Sequence, residues 1–205
     1  MLSLGPRVVI LTALGLCLVA AAWFRGKQNS GTFKGGRISN PKLLWLFFCI
    51  WFWLFECAAL AFEPSLPSSF RVIFGAHALS MWLRGGLELY LLHVTKTWRP
   101  PMGIAHDVFC ILTALALASF LGMPSDSAWG FWAPATVVML LFSLIVETAY
   151  AALFFRAVEG KTTGDDPVWF ASEEDAKFRR INRITFVCNV PQVLFQAALL
   201  AASFL

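Results

Sequence analysis

The chain has 205 residues, 59% of them hydrophobic and 14% charged, with a mean hydropathy of +0.70. Soluble domains carry about 25% charged and about 45–50% apolar residues, so the composition rejects a soluble globular class and predicts an all-α, polytopic membrane helix bundle in one domain. The net charge of +4 reflects the distribution of loops across a membrane and points to no nucleic-acid partner.

Six transmembrane helices are predicted, at about 8–24, 43–62, 70–93, 102–123, 129–155 and 184–205. The first could be mistaken for a signal peptide. Its stronger basic flank, Arg25 and Lys27, is C-terminal, which favours a retained span with that end inside. A Gly-rich polar loop follows, and Asn40-Pro41 reads as an N-cap with a first-turn proline. Span two carries Trp45, Trp51 and Trp53, with Glu56 in its last third. Pro64 and Pro67 close the next turn, and Ser68 or Ser69 can cap span three.

Span three holds His77, Met81, Arg84 and Glu88 on one helical stripe. Charges at membrane depth cost at least ~2.5–3.5 kcal/mol each, and they persist where they face protein or water. Gly85-Gly86 beside Arg84 reads as a close packing point or as a local break in the helix. Pro100-Pro101 opens span four, which carries His106, Asp107, Cys110 and Thr113. Span five has Pro134 early and a stripe of Ser143, Glu147 and Tyr150. Ser172 with Asp175 forms a capping pattern. The mixed basic and apolar spacing after it predicts one short interfacial helix from about Glu173, leading into the last span. Pro191 should kink that span, whose face carries Thr185, Asn189, Gln192 and Gln196.

Of 16 Lys and Arg, all but three fall in the first, third and fifth loops. The exceptions are Arg7 and Arg71 on the other side and Arg84 within span three. The positive-inside bias therefore puts both termini on the non-cytoplasmic side of a cell inner membrane. At ~1.5 Å per residue, Arg84, Glu88, Asp107, Glu147 and Asn189 then share the cytoplasmic half of the bilayer.

These residues predict a buried polar cavity that binds or translocates a small polar solute or cation, protons included. Arg84, Glu88, Asp107, Glu147, Asn189 and Gln192 are the main candidates, with His77, His106 and Gln196 secondary. Asp107 and Glu147 have no evident basic partner in the sequence. One alternative is a membrane enzyme acting on a lipid-borne substrate, with His106 or Glu147 as general base. Another is an accessory subunit of a membrane complex. No nucleotide motif, histidine box or recognisable Ser/His/Asp spacing favours the enzyme. The expected partners are the lipid bilayer and the solute or ion, with a second copy or a membrane complex left open.

No cofactor is required by the sequence. Haem would need two facing axial ligands, and only His93 and His106 lie at one level. A metal ion could use Glu88, His93, His106, Asp107 and Glu147, although no ligand spacing marks them. The five cysteines lie inside apolar runs without a CxxC pair, and read as membrane-buried free thiols.

Overall fold

The computed structural model of the chain describes residues 13, 17, 48–93, 95, 100–124, 129–158 and 176–204. Among these residues the secondary structure is helical, with no strand. Five helices follow one another: α1 (Phe48–Ala61), α2 (Ser68–His93), α3 (Pro100–Leu121), α4 (Trp132–Val158) and α5 (Ala176–Phe204). Ala13 and Cys17 are helical and exposed; the rest of the first expected span, Asn40-Pro41 and the Ser172 capping pattern lie outside the described residues.

Each helix packs on the next in sequence. Two hydrogen bonds bring α1 back to the late helices. Trp53 Nε1 donates to Ser143 Oγ on α4 at 2.8 Å, and Gln196 Nε2 on α5 donates to Glu56 Oε2 at 3.1 Å. The core between these helices is apolar at one end, where Phe52, Phe70, Phe74, Trp129 and Leu140 are fully buried.

The connections explain the boundaries. In the turn after α1, Glu63 is buried and its carboxylate accepts from the Ser65 amide (3.2 Å) and hydroxyl (2.6 Å). Trp129 Nε1 donates to the same Ser65 Oγ at 2.9 Å, which pins this turn to the entry of α4. The Pro67 carbonyl accepts from the Arg71 amide at 3.1 Å, while the buried Ser69 hydroxyl has no hydrogen-bond partner among the described residues; Ser69 is therefore not the expected cap. After α3, Gly122 takes φ 72° and its amide bonds the Ala118 carbonyl at 3.1 Å, a left-handed helix end that suits glycine.

Three features of the helices refine or add to the expectations. The expected interfacial helix is not a separate element: residues 176–183 run unbroken into α5. Neither glycine nor proline occurs between Ala176 and Val190, so nothing interrupts the backbone hydrogen bonding there. Second, α1 contains a π-helical stretch, Trp51–Glu56, in which the Cys57 amide reaches the Phe52 carbonyl. Third, only α3 and α4, over Pro101–Leu121 and Trp132–Arg156, are long and apolar enough by themselves to cross a membrane among the described residues. Arg71, Arg84 and Glu88 lower the hydropathy of α2, as the basic start and amide-rich face do for α5.

Around the apolar core, large apolar side chains also face outward while several polar ones are buried. Leu83 (66%) and Leu194 (65%) are exposed, whereas Asp107 and Gln192 are at 0%. Thr185, Asn189, Gln192 and Gln196, the polar face of α5, are all buried.

Candidate functional site

Arg84 lies four turns into α2, on the same side as buried His77 and Met81. Its Nε donates to Glu88 Oε1 at 3.0 Å, one turn along the same helix. Its Nη1 donates to Asp107 Oδ1 on α3. Asp107, without an evident basic partner in the sequence, thus has Arg84. Helix α3 turns His106, Asp107 and Cys110 toward α2 because residues three and four apart share a face.

Gly103 completes that face. A Cβ at Gly103 would stand 3.0 Å from Arg84 Nη2 and 3.9 Å from Glu88 Oε1. A side chain at this position would press on the guanidinium, which would have to give way by a few tenths of an ångström.

His106 is held from two sides. Arg84 Nη1 lies 3.4 Å from Nδ1, and Nε2 lies 2.9 Å from Ser80 Oγ and 3.2 Å from the Ser80 carbonyl. A guanidinium has donors and no acceptor, so Nδ1 accepts and the neutral ring carries its proton on Nε2. Ser80 is then the acceptor of that proton. Cys110 Sγ also approaches Ser80 Oγ, at 3.5 Å. Asp107 Oδ1 is 3.8 Å from Nδ1, beyond a hydrogen bond.

Glu147 on α4 is half-buried and within electrostatic range of Arg84 and of Cys49 on α1. Glu88 and Asp107 thus bond one guanidinium, with Glu147 in electrostatic range of it. They differ in exposure: the Asp107 side chain is at 0% and that of Glu88 at 29%. His77 is buried within electrostatic range of His106, and neither of its ring nitrogens has a hydrogen-bond partner among the described residues.

The remaining candidates lie apart from this centre in their bonding. Asn189 Nδ2 donates to the Thr185 carbonyl of its own helix at 3.0 Å. Gln196 bonds Glu56, and Gln192 has no hydrogen-bond partner among the described residues. The side chain of His93 is outside the described residues. Both ring nitrogens of His106 are engaged, which suits neither an axial ligand nor a metal ligand. No three His, Cys, Asp or Glu side chains gather as a metal-binding set among the described residues. All five cysteines are unpaired; Cys49, Cys57 and Cys110 are buried within the bundle, and Cys17 and Cys188 lie on its surface.

Ser80, Gly103 and Glu56 were not among the sequence candidates. Gly103 had a readable signal, since it precedes His106 and Asp107 by three and four positions. The local break expected at Gly85-Gly86 is absent, since α2 is continuous there, and a Cβ at either position would meet nothing within 4 Å among the described residues.

No protein-family model matches the chain, no curated protein matches it, and no solved structure matches its fold.

Proposed function

We propose that the chain is a six-span integral membrane protein that binds or conducts a small cation, protons included, at the centre formed by Arg84, Glu88, Asp107 and Glu147. The exposure pattern supports the membrane: an outward apolar surface with amides and carboxylates buried beside the apolar core suits a lipid surround. The basic loops support both termini on the non-cytoplasmic side of a cell inner membrane. The observation that carries the function is the ion-pair cluster itself, in which wholly buried Asp107 and more exposed Glu88 both bond Arg84 while Glu147 lies within electrostatic range. Charged groups kept at membrane depth face protein or water and mark ion and proton pathways. Asp107, fully buried, is the fixed anchor of Arg84. Glu88, more exposed, is the group that exchanges with the aqueous side.

Purified protein in sealed vesicles tests this reading. Under an imposed potassium diffusion potential, a pH-sensitive dye should report proton entry, and replacement of external sodium by choline should report cation flux. Glu88→Gln and Glu147→Gln should each reduce the flux at least tenfold. Flux unchanged in a well-folded Glu88→Gln/Glu147→Gln protein overturns the assignment.

The Ser80–His106 contact favours a second reading, a lipid-modifying enzyme with His106 as base. Arg84 at Nδ1 speaks against it, because His106 then offers Ser80 a proton instead of a free lone pair.

A further inference from the structure

Glu56 on α1 and Gln196 on α5 meet in the interior, and Gln192 is buried one turn before Gln196. Glu56 is 4% exposed, Gln196 1% and Gln192 0%. Gln196 Nε2 donates to Glu56 Oε2 at 3.1 Å. Gln196 Oε1 and both polar atoms of Gln192 have no hydrogen-bond partner among the described residues. Gln192 and Gln196 are one turn apart, on the same buried face of α5. Glu56 ends the π-helical stretch of α1, a geometry that recurs at functional sites.

We propose that Glu56, Gln192 and Gln196 form a binding site for a monovalent alkali cation, sodium or potassium. The donors are all hard oxygens and carry one formal charge. A divalent ion draws on several carboxylates, and here there is one. No lysine or arginine bonds Glu56 among the described residues, so its charge calls for another positive partner. A proton on Glu56 supplies one O–H and satisfies one acceptor. A cation ties the carboxylate and the two amide oxygens together at once. The Gln196 Nε2 donor orients the carboxylate, which leaves Gln196 Oε1 to face the ion. The inference is independent of the role assigned to Arg84.

Carbodiimide labelling gives a test that resolves the site. Dicyclohexylcarbodiimide modifies protonated carboxyls in apolar surroundings, and a bound cation displaces the proton it needs. Purified full-length protein is labelled at fixed pH and ionic strength in sodium, potassium or choline chloride. The peptide carrying Glu56 is then quantified by mass spectrometry. Labelling in choline should fall at least fivefold in sodium or in potassium, and this protection should survive in Glu88→Gln. The same salts should raise Tm over choline by on the order of 5 °C, a rise lost in Glu56→Gln and in Gln192→Leu. Equal labelling of Glu56 in all three salts overturns the proposal. If Glu56 resists the reagent throughout, the thermal shift decides: a rise lost in Glu56→Gln supports the site. No rise in the wild type, or one retained in Glu56→Gln, refutes it. Loss of flux in Glu88→Gln with intact protection of Glu56 separates the two centres.

Discussion

Arg84 reaches across from α2 to Asp107 on α3, and the carboxylate it meets is wholly buried while the guanidinium retains some exposure. The pair therefore fixes the register of two helices. Arg84→Met leaves a buried carboxylate unpaired, which costs about 3–5 kcal/mol. Combining it with Asp107→Leu should recover most of that loss, because an apolar pair suits the interior. Thermal unfolding of the single and double variants measures this. A double variant no more stable than Arg84→Met would show that the two residues are not coupled.

Gly103 and Gly86 should respond in opposite directions to the same added methyl group. At Gly103 the methyl meets the Arg84 guanidinium, which Glu88 and Asp107 hold in place. Gly103→Ala should lower stability by about 1–3 kcal/mol, the usual range for overpacking. At Gly86 the new Cβ meets nothing, so Gly86→Ala should gain the helix propensity of alanine, about 0.5–1 kcal/mol. The Tm values of the two variants against the wild type check the order. A more stable Gly103→Ala than Gly86→Ala contradicts the close approach.

Some of this was legible in the chain and some was not, for physical reasons. Helical periodicity is local, so the stripe of His77, Met81, Arg84 and Glu88 and its internal ion pair could be read directly. So could the polar face of α5, which is buried as a row. Pairings between helices depend on rotation and depth, which one sequence does not record. The Arg84–Asp107 bond and the Glu56–Gln196 bond, the latter 140 positions apart, belong to that kind. The π-helical stretch is likewise invisible to a periodicity argument. The short helix expected to lead into the last span is continuous with it from Ala176, since helical periodicity does not record where one helix hands over to the next.

The positive-inside asymmetry makes a prediction about topology. Single cysteines at Lys34, Arg99 and Lys161, introduced into a cysteine-free background, should stay unlabelled by an impermeant maleimide in intact cells. They should react once the membrane is opened. Labelling of all three from outside in intact cells would reverse the orientation.

The last prediction concerns Ser80 and His106. With Arg84 donating to Nδ1, His106 gives its Nε2 proton to Ser80, whose hydroxyl and carbonyl both lie within reach. Ser80→Ala removes one acceptor and leaves the carbonyl at 3.2 Å, so the proton keeps a partner. The cost should stay within about 1 kcal/mol. Cation flux should remain near the wild-type value, because Ser80 serves only to orient the ring. His106→Ala removes the acceptor that Arg84 Nη1 meets besides Asp107, and should cost more, about 1–3 kcal/mol. A nucleophilic Ser80 would behave otherwise: it would react with a fluorophosphonate probe, and His106→Ala would abolish that labelling. Unfolding of the two variants measures the order of stability, and mass spectrometry of the probe-treated protein reads the chemistry. Covalent phosphonylation of Ser80 that depends on His106 would replace the cation-binding reading with the enzymatic one.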